Sequence, residues 1–114
     1  MTLDEYQRDA GLTRVYRRND MNILYPILGL CGESGEVAEA MKKAMRDRGA
    51  THDVASLSPE DRNHILLELG DVLWYVAEIA SVLDEDLSTI AGMNLAKLVS
   101  RAQRGVVGGD GDDR

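Results

Sequence analysis

Acidic residues recur at intervals of three in two segments of this chain. The segment GESGEVAEA carries Glu33, Glu36 and Glu39, and the later segment ELGDV carries Glu68 and Asp71. Residues three apart share one face of a helix, so each segment would present neighbouring carboxylates on one side. Carboxylate oxygens without organised histidines suit a hard cation, Mg²⁺ or Mn²⁺, better than zinc or iron. If the two segments meet in the fold, these acids form a candidate metal site with the ligands Glu33, Glu36, Glu68 and Asp71.

The position of these acids beside apolar residues carries more weight than their spacing, which an acidic chain produces by chance. Apolar stripes are expected along Leu30, Val37, Met41 and Ala44 and along Ile65, Leu69, Val72, Val76, Ile79 and Leu83. Glu33 and Glu68 fall inside the edges of these stripes, with Glu36 and Asp71 just beyond. A buried carboxylate is costly unless it meets a cation, a proton or a metal. The alternative is pairing with a neighbour such as Lys43 or Arg62.

A third segment, NLAKLVSRAQR, places polar and basic residues along one side of a helix: Asn94, Lys97, Arg101 and Arg104. Lysine offers a point charge and arginine a planar fork, and both suit phosphate oxygens. Four carboxylates and a nucleoside triphosphate can share a site only if divalent cations lie between them. These residues are therefore candidate substrate ligands. The alternative is a solvated basic face, which is also favourable near a helix C-terminus.

Helices must position all three segments, because apolar residues recur every three or four positions without strand-like alternation. The expected spans are Leu3 to Arg18, Asn22 or Pro26 to Arg48, Pro59 to Leu83 and Leu87 to Arg104. Gly49 is a typical helix stop, and Ser58 followed by Pro59 and Asp61 is a strong helix start. The predicted fold is all-α, with four helices in one domain over residues 1–104, followed by a disordered Gly/Asp tail over 105–114.

The chain is short and acidic and has one cysteine. Its 114 residues, 44% of them hydrophobic, are enough for one domain with one modest core. A net charge of −7 argues against direct binding to nucleic acid, and no apolar run is long enough to span a membrane. Cys31 has no second cysteine to pair with, so we expect it to be a small buried residue in a reducing, cytoplasmic protein.

Glycines and apolar residues outside the stripes suggest further contacts. Gly29, Gly32 and Gly35 interrupt the second helix at a cost in stability, and we expect them to clear space around Glu33 and Glu36. On the third helix, Leu67 and Trp74 lie away from the main stripe. They predict a second buried face that packs against another subunit, in a dimer or a larger assembly.

Two stretches together resemble a known family. GESGEVAEAMKK followed by LLELGDVLWYVAEIASVLDEDLSTIAGMNLAKLVSR is similar to the MazG-like branch of the all-α nucleoside triphosphate pyrophosphohydrolases. The family signature is E-x-x-E, a spacer, E-x-x-D, and then Asn and Lys on the last helix. The resemblance spans about residues 3–104. It implies a four-helix bundle, assembled as a homodimer or homotetramer, that uses Mg²⁺ to split (d)NTPs into the monophosphate and pyrophosphate.

The resemblance also implies roles for individual residues. The metal-binding carboxylates of the family match Glu33, Glu36, Glu68 and Asp71. Asn94 and Lys97 match its substrate or metal contacts, and Arg101 fits the basic position that often follows. In the mechanism that would follow, water attacks the α-phosphorus, Glu36 or Glu39 takes the proton, and Lys97 steadies phosphate charge.

The base and sugar contacts are less defined than the phosphate contacts. The candidates are Tyr6, Gln7, Tyr25 and Tyr75, although an aromatic residue on a helix more often belongs to the core. Two alternative functions stay open. One is a phosphoribosyl-ATP pyrophosphatase of the same superfamily, and the other is a non-catalytic helical interaction or adaptor protein whose acids form a recognition face.

Overall fold

Four helices make up the regular structure of the described chain. The computed structural model describes residues 1–16, 22–106, 108–109 and 111. The helices are α1 (Leu3–Leu12), α2 (Leu24–Arg48), α3 (Pro59–Val82) and α4 (Leu87–Gln103), with a 3₁₀ turn at Val54–Ser56 before α3. The predicted all-α class with four helices is therefore confirmed. Over the described residues, no helix is long and apolar enough to cross a membrane.

The helix signals between α2 and α3 act as predicted. Gly49 ends α2 with a left-handed backbone (φ 71°), a conformation that glycine adopts without strain. At the start of α3, Pro59 takes the first turn, and the Ser58 hydroxyl accepts a hydrogen bond from the backbone N–H of Asp61. The end of α2 and the start of α3 thus follow from local sequence.

The first helix is shorter than the sequence predicted. It begins with a capping box between Thr2 and Glu5 but ends at Leu12 instead of Arg18. A hydrogen bond joins the chain just after Leu12 to α3: the Trp74 indole N–H donates to the Thr13 hydroxyl at 2.8 Å. Trp74 is thus half-buried within its own chain, and its contact with another subunit stays a prediction. The expected end at Arg18 lies outside the described residues.

Helices α2 and α3 form an antiparallel pair that holds the candidate site. At the end joined by the loop, Arg48 Nε lies 2.7 and 2.8 Å from the two carboxylate oxygens of Asp61. Farther along, the helices meet where Glu33 faces Glu68 and Asp71. Asp61 is buried, so this bidentate ion pair fixes the register of the two helices from one end.

The core at the other end of α3 is built from small residues. Ala77, Ala80 and Leu87 are buried there, with Tyr6, Val76 and Ile90 packed around them. This core joins α1, α3 and α4, and in the described part of the chain α4 does not pack against α2.

Some predicted core positions are wrong. Leu69 and Leu83 are 47% and 59% exposed. The face that α3 turns to α2 passes through Asp61, Glu68 and Tyr75, so Leu69 falls outside it. Leu83 lies beyond the helix end. Cys31 is exposed instead of buried. It stands on α2 away from the side that carries Pro26, Ala40 and Ala44, the buried residues of that helix.

Candidate metal centre

Three carboxylates from two helices converge on one point. Glu33 of α2 and Glu68 and Asp71 of α3 each offer an oxygen, and these oxygens all lie within 4.8 Å of one another. Glu33 and Glu68 are half-buried, and Asp71 is exposed. The convergence follows from the antiparallel pairing, which sets Glu33 opposite two acids that lie almost one turn apart on α3.

The charges in this cluster repel one another. Burial raises the pKa of the Glu33 carboxyl, and the nearby charges of Asp71, Glu68 and Glu36 raise it further. Among the described residues, no lysine or arginine pairs with Glu33, Glu68 or Asp71. The expected alternative of pairing with Lys43 or Arg62 is therefore not what these acids do. An excess of negative charge at one point is an arrangement that a cation would stabilise.

Glu36 and Glu39, the other two acids of α2, have different surroundings. Glu36 is exposed and close enough to influence Glu33, but its oxygens are not among the three that converge. Glu39 accepts an ion pair from Lys42 Nζ at 2.7 Å and a longer one from Lys43 Nζ at 3.8 Å. A hydrogen bond from Lys42 lowers the pKa of the Glu39 carboxyl. Glu39 is thus neutralised beside the cluster.

His64 contacts the cluster, a role that the sequence reasoning missed. Its Nε2 lies 2.9 Å from Oε1 of Glu68, one helical turn away. The spacing of four between these residues could have predicted the contact, since side chains four apart meet on a helix surface. The contact holds Glu68 in one orientation, with its second oxygen left for another partner.

The candidate substrate ligands on α4 fall into two groups. Asn94 and Lys97, together with Ile90 and Met93, line a cleft of about 320 Å³. Arg101, in contrast, is buried, with 4% of its surface exposed. Arg104 is exposed, and its Nε donates to the Ser100 hydroxyl at 3.1 Å. The open cleft therefore belongs to Asn94 and Lys97.

Tyr75 connects the acidic cluster to other aromatic rings. Burial raises the pKa of its hydroxyl, with smaller contributions from the adjacent, hydrogen-bonded Tyr25 and from the charges of Glu33 and Asp71. A Cβ at Gly29 would overlap the Tyr75 ring. The expectation that glycines clear space for Glu33 and Glu36 is thus wrong for Gly29, whose space is taken by Tyr75. At Gly32 and Gly35, a Cβ would meet no described atom within 4 Å.

Two other candidate substrate contacts have structural roles. The Gln7 amide accepts a hydrogen bond from the backbone N–H of Leu87 at 2.7 Å and donates to the Ser81 hydroxyl at 3.0 Å. It therefore caps α4, and no local sequence signal marks such a long-range cap. Tyr6 packs in the core beside Ala77 and Leu87.

Glu78 is a buried carboxylate that the sequence reasoning passed over. It is fully buried on α3, where the Tyr16 hydroxyl donates to its Oε2 at 2.7 Å and Arg14 lies 3.7 Å away. Its position on α3, one turn beyond Trp74 and Tyr75, is the sequence feature that could have predicted this burial. These contacts fasten the segment after α1 to α3, at the end of the helix pair remote from Arg48.

Two comparisons with known proteins give matches. Residues 24–106 match the model of the MazG nucleotide pyrophosphohydrolase domain, a range that includes α2, α3 and α4. The chain is also 42% identical over 119 residues to the "Gene 37 protein" of Mycobacterium phage L5, with 100% of both chains covered. No solved structure matches the chain. The family match contains all the carboxylates of the candidate metal centre.

Proposed function

The chain belongs to the MazG nucleotide pyrophosphohydrolase family, and we propose that it hydrolyses nucleoside triphosphates to the monophosphate and pyrophosphate in a Mg²⁺-dependent reaction. The observation that carries this proposal is the convergence of Glu33, Glu68 and Asp71 within 4.8 Å. Family membership supports nucleotide pyrophosphohydrolysis in general.

The residues at the cluster fit Mg²⁺. Hard divalent cations prefer carboxylate oxygens, and Glu33, Glu68 and Asp71 offer these without a competing lysine or arginine from the described residues. Glu36 is the fourth candidate ligand, since its charge already acts on Glu33. When bound, Mg²⁺ supplies positive charge to offset the triphosphate and activates water for attack at the α-phosphorus.

The surrounding side chains suggest separate roles for Glu36 and His64. Glu36 is the better proton acceptor of the two candidates, because Glu39 is already neutralised by Lys42 and Lys43. His64 orients Glu68 through its 2.9 Å contact.

The cleft on α4 is the proposed phosphate-binding surface. Lys97 would bind phosphate oxygens as a point charge, and Asn94 would donate hydrogen bonds from its side-chain amide. Arg101 is a weaker candidate for direct contact because it is buried.

We also propose a homodimer or homotetramer, since large apolar side chains such as Leu67, Leu95 and Leu98 are 61%, 63% and 43% exposed in the single chain.

The proposal is tested by hydrolysis of a panel of canonical and modified (d)NTPs with and without Mg²⁺. Monophosphate plus pyrophosphate is scored against diphosphate plus phosphate. We expect Asp71→Asn to lower kcat/KM by at least about a hundredfold, because it removes a charged ligand while keeping the side-chain volume.

The matched control is Asp9→Asn, which removes an exposed carboxylate that pairs with Arg8 on α1. It should leave turnover unchanged. Mg²⁺ should also raise the melting temperature of the wild type and not that of Asp71→Asn. Full activity in Asp71→Asn, or phosphate release without pyrophosphate, would refute the proposal. A chain with neither turnover nor a response to Mg²⁺ would instead be the interaction protein.

A further inference from the structure

Aromatic residues are scarce in this chain and are concentrated in one place. The sequence has one tryptophan, four tyrosines and no phenylalanine. Four of these five rings form one aromatic cluster, which consists of Tyr16, Tyr25, Trp74 and Tyr75. The buried core of the described residues, in contrast, is made mainly of alanine. The cluster therefore calls for an explanation other than filling the core.

The rings of the cluster touch in sequence. The centroids of Tyr16 and Tyr25 lie 4.3 Å apart with the planes 30° from parallel. Trp74 meets Tyr16 edge-on at 6.4 Å and Tyr75 edge-on at 5.0 Å. Edge-on and offset contacts are the favourable arrangements for aromatic rings. The cluster is therefore a packed unit whose rings hold one another in place.

One ring of this unit is open to solvent. Tyr25 is 49% exposed, whereas Tyr16, Trp74 and Tyr75 are half-buried. The Tyr25 side chain is held by the Tyr16 ring, which lies against it at 4.3 Å between centroids. A ring that is fixed and yet exposed pays little conformational entropy when a flat ligand stacks on it.

The aromatic cluster lies at a distance from the acidic residues that suits one nucleotide. Tyr25, Gly29 and Glu33 are spaced by four on α2, so they form one stripe that rises about 6 Å per step. Tyr75 fills the middle of the stripe over Gly29. Tyr25 thus lies about 12 Å along α2 from Glu33, a distance that a nucleotide with its phosphate at the acidic residues would span.

We propose that the exposed ring of Tyr25, backed by Tyr16, is the surface on which the nucleobase of the substrate stacks. The site then prefers nucleotides to base-free sugar phosphates, and it accepts several bases because every base has a π-face. This inference rests on the proposed function, since the acidic cluster must hold the phosphate end.

Binding of the reaction product tests this role apart from catalysis. Trp74 is the single tryptophan, so its emission reports on the cluster. Wild type, Tyr25→Phe and Tyr25→Ala are titrated with adenosine and thymidine monophosphates and with ribose 5-phosphate, in Mg²⁺, and calorimetry repeats each titration. The matched control is Leu12→Ala, which removes another exposed apolar side chain, at the end of α1.

We expect Tyr25→Ala to raise the Kd of both mononucleotides by about tenfold or more, the loss of one base–aromatic stack. The Kd of ribose 5-phosphate should not change. Tyr25→Phe and Leu12→Ala should bind all ligands like the wild type. If Tyr25→Ala does not fold, Tyr25→Leu replaces it, since leucine keeps apolar bulk without a π-face.

Three results would overturn the inference. The first is wild-type mononucleotide affinity in Tyr25→Ala, and the second is an equal loss of affinity for ribose 5-phosphate. Absence of mononucleotide binding by the wild type would overturn it as well. A wild type that binds mononucleotides through Tyr25 but hydrolyses no triphosphate would refute the proposed function and leave the stacking role intact.

Discussion

The Tyr75 ring of α3 occupies the space over Gly29 of α2 in which a β-carbon would otherwise lie. This contact sets the separation of the two helices one turn from Glu33 on α2 and one turn from Asp71 on α3. The close approach of three carboxylates therefore depends on a residue that has no side chain.

Gly29→Ala should lower the free energy of unfolding by about 1–3 kcal/mol, since the new methyl group must displace the Tyr75 ring. Denaturant unfolding followed by circular dichroism measures the change. The matched control is Gly32→Ala on the same helix, where a Cβ meets no described atom within 4 Å. It should be neutral or stabilising by up to about 1 kcal/mol, because alanine favours helix. Equal effects of the two substitutions would contradict the role of the Tyr75 contact.

Protonation of Glu33 should stabilise the metal-free chain. Burial and the neighbouring acids raise the pKa of Glu33 in the folded state, so the folded chain binds this proton more readily than the unfolded chain does. Ionised Glu33 therefore costs stability at neutral pH, and this cost disappears at acid pH. We expect Glu33→Gln to raise the metal-free melting temperature at about pH 7 and to have no effect at about pH 4.

Glu39→Gln is the control for this prediction, because its expected effect on the melting temperature at neutral pH has the opposite sign. Its hydrogen bond from Lys42 lowers the pKa of Glu39, so Glu39→Gln should destabilise at neutral pH, with the loss fading as the pH falls. Relative to the wild type at neutral pH, the melting temperatures of Glu33→Gln and Glu39→Gln should thus shift in opposite directions. Stabilisation by Mg²⁺ should also weaken on acidification, since protons compete for Glu33. A stabilising Glu39→Gln would show that its ion pairs do not form in solution.

The sequence predicted the features that depend on local pattern. Gly49 and Ser58 marked helix ends correctly because caps act within a few residues. Glu33 and Glu68 were picked out because their positions on a stripe follow from helical periodicity alone. What was missed depends on contacts distant in sequence. Gln7 bonds to Leu87, 80 residues away, and such pairings become visible only when the helices have been packed.

Two arginines near the end of α2 should differ in their effect on stability. Arg48 pairs with Asp61, whose side chain is 8% exposed, whereas Arg46 pairs with Asp47, whose side chain is 44% exposed. Arg48→Met leaves a buried carboxylate without its cation, and it should lower the melting temperature by several degrees. Arg46→Met should change it little, because exposed ion pairs contribute little. Differential scanning calorimetry compares them, and equal shifts would contradict the buried clamp.

The clamp should also respond to pH. Hydrogen bonds from Arg48, and a smaller effect of Ser58, lower the pKa of Asp61. Its stabilising contribution is therefore present at neutral pH and is lost as the pH falls through this lowered value. The difference in melting temperature between the wild type and Arg48→Met should narrow as the solution is made acidic. A constant difference would mean that Arg48 acts through packing and not through its charge.

Gln7 should control the position of α4 and, through it, the cleft lined by Asn94 and Lys97. Its side chain bonds to Leu87 N, to the Ser81 hydroxyl and to the Glu85 carbonyl, so it joins α1 to both sides of the α3–α4 turn. Gln7→Ala leaves these groups unpaired and should cost about 1–3 kcal/mol of stability. With α4 less fixed, KM for the triphosphate should rise more than kcat falls. Gln103→Ala, at the other end of α4, is the control and should change neither. A Gln7→Ala chain of lowered stability with normal KM would mean that the cap stabilises α4 without positioning the cleft.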